Sequence, residues 1–169
     1  MNFVNNAGQV GVVPGKLTGG KTSAEIDISL DEITRDEFNL NQLIVAATSV
    51  GKVFGLYTSA NGRILWSFFL KGAVPFKRLN TGKNSIDANL LFLQRTAAHV
   101  PYEAQCALVT QIQDNSSQQL KTRVFFFNPL TGQPAKEHPA DGYLLDYQIR
   151  QAFLLNVHDA HYLKPLVLF

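Results

Sequence analysis

Three apolar runs of strand length, separated by two turn sequences, constrain the fold of this chain more than any other feature. The runs are Leu43–Thr48, Val53–Thr58 and Ile64–Leu70. The Asn-Gly pair ending at Gly62 readily adopts the positive φ angles of a tight hairpin, and Gly51 offers the same freedom to the first turn. The three runs therefore predict an antiparallel meander.

The middle run, Val53–Thr58, is apolar at nearly every position of both faces. A sheet with such a strand has to be covered on both sides. Trp66 follows the second turn and is placed to pack across a neighbouring sheet. We therefore predict a blade of a β-propeller, whose faces are buried only when another blade stacks on each. The residues of this structural blade signature are Gly51, Lys52, Gly55, Gly62 and Trp66.

The rest of the chain divides by composition. Residues 1–30 begin rich in Asn, Gly, Thr and Lys, and we expect a flexible or divergent N-terminal arm. Residues 31–169 are predicted to be a β-propeller segment of about three blades, with an insertion at about 71–89 where Gly, Pro, Asn and Lys dominate. Further strands are expected at Leu90–Thr96, Gln105–Ile112 and Lys121–Phe127, at Tyr143–Val157 as a strand pair or one long strand, and at Pro165–Phe169.

Two segments suggest internal repetition. Val53–Arg63 and Val124–Gln133 both have an apolar strand, a polar turn, a Gly and a polar residue. Their separation of roughly 70 residues exceeds a usual blade, and the insertion accounts for the excess. A generic β-meander or sandwich would also give alternating strands. All these interpretations place the chain in the all-β class.

Length and charge limit what the chain can be. At roughly 40–50 residues per blade, 169 residues hold between three and four blades, an incomplete ring, and we expect a piece of a longer protein. A net charge of +2 does not favour a nucleic-acid partner. The single cysteine, Cys106, lies in an apolar run and is expected to be a buried, inert thiol.

Several segments resemble subunit 1 of the endoplasmic reticulum membrane protein complex in their order and approximate spacing. The resemblance extends from about residue 33 to 130 and more thinly to Phe169. The segments that carry it are Ile33–Leu40, Thr48–Gly55, Gly62–Trp66, Gln94–His99 and Gln105-Cys106.

The resemblance implies part of that subunit's lumenal region, which is built of propeller sheets similar to those of quinoprotein dehydrogenases and followed by a membrane anchor. It implies a non-catalytic scaffold on the lumenal side of the endoplasmic reticulum membrane. The implied partners are the other subunits and membrane-protein clients, since the complex inserts tail-anchored and certain multipass proteins. Asn115-Ser116-Ser117 is a glycosylation sequon, and Asn115 is a candidate glycosylation site if the chain faces the lumen.

An enzyme and a generic interaction module are the alternatives. The Gly62–Trp66 segment is also typical of quinone-dependent dehydrogenases, which need a calcium site and an Asp base beside the quinone. A cytosolic interaction propeller would use the same blades. We predict no catalytic residue and no cofactor, because the aspartates lie at turns or strand ends without the spacing of a calcium loop. They are Asp114, Asp141, Asp146 and Asp159.

The histidines are predicted to be structural. His158 and His161 are three residues apart, but their flanks indicate strand and loop rather than helix, and no nearby Cys or further His completes a zinc set. His99 has no Ser or Cys nucleophile motif to serve as a proton carrier. No metal site is predicted.

Overall fold

The computed structural model describes residues 13–14, 42–58, 62–80, 85–114 and 119–169. Within these ranges the regular structure consists of thirteen β-strands, and all their ladders are antiparallel. The strands are β1 (Val13–Pro14), β2 (Leu43–Ala47), β3 (Lys52–Tyr57), β4 (Arg63–Phe69), β5 (Ala73–Val74), β6 (Phe76–Asn80), β7 (Ser85–Ala88), β8 (Leu90–Arg95), β9 (Gln105–Gln113), β10 (Leu120–Phe127), β11 (Tyr143–Leu145), β12 (Ala152–Leu154) and β13 (Leu166–Leu168).

The first sheet has the strand order β1-β4-β3-β2, which confirms the predicted meander. Its two turns contain Gly51 and Gly62, whose φ angles are +83° and +74°. β1 comes from the predicted N-terminal arm and pairs with β4, Val13 lying opposite Ser67. The other residues of the arm lie outside the described ranges.

The second sheet has the order β11-β10-β9, and β9 pairs on its other side with both β8 and β5. The β9–β10 hairpin is its longest ladder, with Val124 opposite Val109. Of the two segments with the predicted repeat pattern, Val53–Arg63 contains most of β3 and Val124–Gln133 contains the second half of β10. Both strands have a neighbour on each side in their own sheet. The repeat itself stays a prediction.

The region from residue 71 to residue 89, predicted to be an insertion, contains β5, β6 and β7. β5 joins the second sheet, and β6 pairs with β7 to form a separate hairpin. Gly72, with a φ of +77°, makes the turn after the first sheet. Short backbone ladders of this kind need no long apolar run, so composition alone did not indicate them.

Tyr143–Val157 forms neither a strand pair nor one long strand. β11 pairs with β10 in the second sheet, whereas β12 pairs with β13 to form the third sheet. Between them the chain stays attached to Thr122, whose backbone N–H donates to Tyr147 O at 3.1 Å. The backbone N–H of Ile149 donates to the hydroxyl of Thr122, also at 3.1 Å, before the chain leaves for the third sheet.

The three sheets stack on one another, with the second sheet in the middle. Alternate residues of β10 point to opposite sides: Phe125 and Phe127 pack on the first sheet, and Val124 and Phe126 pack towards the third. Burial on both faces therefore occurs in the second sheet. The buried cluster between the first and second sheets consists of Val53, Trp66, Phe68, Leu70, Cys106, Leu108, Phe125 and Phe127.

The opposite face of the first sheet is more exposed than the sequence predicts. We define this outer face by Ile44, Phe54, Leu56, Ile64 and Phe69. The exposed fraction is 50% for Ile44, 40% for Ile64 and 51% for Phe69. Lys52 shields part of it, since its Nζ lies 5.0 Å from the centre of the Phe54 ring. The first sheet thus packs one face on the second sheet and keeps apolar surface on the other.

Candidate functional site: the junction of the stacked sheets

Trp66 is the side chain that joins the first sheet to the second. Only 3% of its surface is exposed, and its indole Nε1–H donates to the carbonyl oxygen of Pro129 at 3.0 Å. The indole stacks on Phe68 with ring centres 5.8 Å apart and meets Phe127 edge-on at 5.9 Å. Such aromatic pairs contribute about 0.5–1.5 kcal/mol beyond the area that they bury.

Two glycines make room for the indole. A Cβ on Gly55, which lies opposite Trp66 in the first sheet, would come within 2.8 Å of the indole Cζ2. A Cβ on Gly132, in the turn after β10, would lie 2.6 Å from Cε3. Gly132 also has a φ of +71°, which side-chain-bearing residues rarely adopt. The junction therefore requires glycine on both sides of one ring.

The other residues of the predicted blade signature lie away from the indole. Gly51 has a positive φ, and a Cβ there would lie 2.9 Å from Leu70 O. Lys52 is exposed on the outer face, and Gly62 is an exposed turn residue with no atom within 4 Å of an added Cβ. The structure thus brings Gly55 and Trp66 together but not Lys52 or Gly62. Asn115 lies outside the described residues.

An apolar cavity of about 360 Å³ opens between the first and second sheets. Cys106 lies at this cavity and is 3% exposed, so the predicted buried thiol is confirmed. Burial raises the pKa of Cys106 to about 12, because the thiolate is poorly solvated there. The cavity is lined by Leu43, Val45, Leu91, Leu93, Thr96, Ala97, Ala104, Cys106, Pro129 and Leu130.

A polar depression lies on the other side of the β8–β9 connection. The Glu103 carboxylate accepts hydrogen bonds from Lys136 and from the Asn128 amide. The bond from Lys136 is the main reason why the pKa of Glu103 lies below its usual value. Arg95 Nε donates to the Glu103 carbonyl oxygen at 2.7 Å, and its Nη1 donates to His161 O at 3.0 Å. Arg95 thereby ties β8 to the connection between the two strands of the third sheet, β12 and β13.

Sequence reasoning missed a buried polar cluster beside this depression. Gln105 Nε2 lies 3.2 Å from both Gln94 Oε1 and His138 Nε2. Gln94 Nε2 donates to Lys164 O at 3.1 Å. The only sequence signal is that two glutamines interrupt apolar strands, and both belong to the segments that carry the family resemblance.

Three of the four aspartates considered for quinone chemistry contact a lysine or backbone N–H groups in the structure. Asp114 and Asp146 both contact Lys121 Nζ, at 3.1 and 2.8 Å. Asp159 accepts from the backbone N–H groups of His161 and Leu163, which lower its pKa, the bond from Leu163 most. Nowhere in the described ranges do three His, Cys, Asp or Glu side chains converge closely enough to hold a metal ion.

The three histidines outside the buried polar cluster each contact a tyrosine ring. His99 stacks on Tyr162 with ring centres 4.6 Å apart, and His158 lies 5.3 Å from the same ring. His161 lies 5.0 Å from Tyr102. His158 and His161 are exposed on a turn, as the sequence predicts. Among the residues that the structure describes, no helix has the length and apolar character needed to cross a bilayer.

Comparison with known proteins relates most of the chain to one family. A family model described as ER membrane protein complex subunit 1, second beta-propeller, matches residues 39–169. The ER membrane protein complex subunit 1 of Xenopus laevis is 34% identical over 142 residues, and that of Gallus gallus is 33% identical over 142 residues. Each alignment covers 84% of this chain, which spans 13% of the length of either relative.

Proposed function

Because the chain belongs to the family of ER membrane protein complex subunit 1, we propose that it is a non-catalytic scaffold segment of that complex on the lumenal side of the endoplasmic reticulum membrane. The predicted family and the all-β, partial β-propeller architecture are confirmed by the match over residues 39–169. In the proposed role the segment supports the insertion and folding of tail-anchored and multipass membrane proteins. Its partners are the other subunits and these clients, and its parent chain is membrane-anchored.

The proposal rests on which faces of the sheets are buried and which are exposed. The second sheet is buried on both sides, and the first sheet contributes Trp66 to the junction while keeping its outer face half exposed. Large apolar side chains on an exposed sheet face indicate a further contact. In the proposed scaffold, this face stacks on another blade of the parent protein.

Surface loops supply the proposed contacts with partners. Val50, in the turn between β2 and β3, is 62% exposed, and Val100, in the β8–β9 connection, is 83% exposed. Exposed apolar residues on connections between packed sheets can bind a partner without disturbing the stack. The blades then act as rigid supports, and the loops act as the contact surface.

Purification of the tagged parent protein from membranes tests the role in the complex. We expect the other subunits of the complex to be recovered with it. Recovery of intact, folded parent protein without any of them would refute the scaffold proposal.

A pair of variants in the parent protein tests the stacking separately. Phe69→Asp places a charge on the outer face, and we expect it to make the blade region sensitive to limited proteolysis. Val157→Asp is the matched control, since Val157 is 59% exposed but lies on the connection between β12 and β13, away from the outer face. Equal protease resistance in both variants would contradict stacking on the outer face.

A further inference from the structure

A series of side-chain hydrogen bonds links His138 to the connection between β12 and β13, the two strands of the third sheet. It runs from His138 Nε2 to Gln105 Nε2, from the same Gln105 nitrogen to Gln94 Oε1, and from Gln94 Nε2 to Lys164 O, with distances of 3.2, 3.2 and 3.1 Å. Gln105 is 5% exposed and Gln94 is 4% exposed. The chain is therefore largely shielded from solvent, and its members depend on one another.

The backbone carbonyl at the end of the chain fixes its direction. Lys164 O can only accept, so Gln94 must present its amide nitrogen there and its oxygen to Gln105. Gln105 then has to present its nitrogen both to that oxygen and to His138. A neighbouring donor requires His138 Nε2 to be an acceptor, so the imidazole is neutral with its proton on Nδ1. Nδ1 lies 3.3 Å from the Tyr143 hydroxyl, which can accept that proton.

If His138 gains a second proton, no orientation of the Gln105 and Gln94 amides satisfies all three hydrogen bonds. Nε2–H would face the amide nitrogen of Gln105, donor against donor. Rotating the Gln105 amide would set its oxygen against the oxygen of Gln94, and rotating Gln94 as well would set oxygen against Lys164 O. Each alternative leaves one opposed pair in a buried or partly buried position, which is costly.

The groups around His138 come from three elements and its own loop. Phe126 of β10 stacks on the imidazole with ring centres 4.2 Å apart, Tyr143 of β11 meets Nδ1, and Gln105 of β9 meets Nε2. The neighbouring Glu137 carboxylate raises the pKa of His138, but the loss of hydration on burial is the larger effect and lowers it below its usual value. Lys136, on the same loop, pairs with Glu103.

We propose that His138, Gln105 and Gln94 form a pH-dependent latch that holds the third sheet on the second. The latch acts where the two sheets are joined, because Lys164 N also donates to the Gln94 backbone oxygen at 3.1 Å. Neutral His138 keeps the chain of hydrogen bonds complete. The attachment is therefore intact above the ordinary histidine pKa of about 6.5 and weakens as the pH falls below it.

Nuclear magnetic resonance of the full chain tests which imidazole nitrogen of His138 carries the proton, and whether the third sheet loosens when His138 is protonated. Correlation spectra of the imidazole nitrogens should show the Nδ1–H tautomer of His138 at neutral pH. The amide protons of β12 and β13, corrected for the intrinsic pH dependence of exchange, should lose protection by roughly tenfold on acidification, with the midpoint at which His138 titrates. An Nε2–H tautomer at neutral pH would overturn the proposal.

Variants of the chain test whether the titration of His138 controls the exchange protection of β12 and β13. In Gln94→Leu, His138 should still titrate, but the protection of β12 and β13 should no longer follow it. His138→Phe keeps a ring on Phe126 without a titrating group and should abolish the pH dependence. His158→Gln, at an exposed histidine, is the matched control and should retain it. Full pH dependence in His138→Phe would refute the latch. If that variant does not fold, loss of the dependence in His158→Gln would refute it instead.

Discussion

Replacing Gly132 with alanine should separate backbone strain from steric clash at the sheet junction. Gly132 has a φ of +71°, and an added Cβ would lie 2.6 Å from Cε3 and 2.7 Å from Cδ2 of Trp66. Gly62 has nearly the same φ, +74°, but nothing lies within 4 Å of its added Cβ. Gly62→Ala is therefore a matched control with the same backbone cost and no clash.

The expected losses of unfolding free energy follow from backbone strain and steric clash. Alanine at a positive φ costs about 1–2 kcal/mol of unfolding free energy, a term that both variants share. Overpacking in a close-packed core adds about 1–3 kcal/mol, and only Gly132→Ala has this term. Gly132→Ala should therefore lose about 1–3 kcal/mol more than Gly62→Ala.

Urea unfolding followed by tryptophan fluorescence measures this difference directly, since Trp66 is the only tryptophan of the chain and lies at the site. A Gly132→Ala chain that is unfolded without urea, beside a folded Gly62→Ala chain, would also support the reasoning. Losses equal to within about 0.5 kcal/mol would refute it, because the indole would then not be confined by the turn.

The remaining predictions concern a thiol, a sequon and the exposed apolar face. Cys106 should be nearly unreactive towards a thiol reagent at neutral pH and fully reactive in urea, because its pKa is about 12; rapid modification of the folded chain would contradict this. Asn115→Gln and Ser117→Ala should each remove the same single glycan from the parent protein expressed in cells, read as a gel shift; an unshifted pair would show that the sequon is unused. The isolated chain should be only marginally stable, and Phe69→Ser should raise its solubility limit more than Val50→Ser, measured by light scattering. An unfolding free energy well above about 5 kcal/mol for the isolated chain would contradict this last prediction.

Strand positions were predictable because alternation and turn chemistry are local. The Asn-Gly turn ending at Gly62 and the apolar runs around it predict the first-sheet meander, which the structure contains. Strand partners were less predictable, because a period of two residues defines the faces of a strand and not its neighbour. For this reason Tyr143–Val157 was expected to be one unit, yet its two strands belong to different sheets.

At the junction of the first and second sheets, the sequence predicted the role of Trp66 but not the residues that the indole contacts in the second sheet. The size of Trp66 and its position after a turn predicted packing across sheets, but its hydrogen-bond acceptor, Pro129, lies 63 residues further along the chain. No local sequence pattern identifies Gly132 as the second glycine that packs against the Trp66 indole. The glutamine pair was visible as polar residues in apolar strands, whereas His138 is 33 residues from Gln105 and could be assigned to them only in three dimensions.

The pairing of β1 with β4 sets where the chain can be shortened. After β4 the polypeptide crosses at once into the second sheet through β5, so the position next to β4 is filled from upstream, by Val13–Pro14. A truncated chain that begins at Leu43 would keep every residue of the meander and still uncover β4 at Trp66 and Ser67, where β1 pairs with it. A shortened chain that preserves this pairing must therefore include Val13 and Pro14.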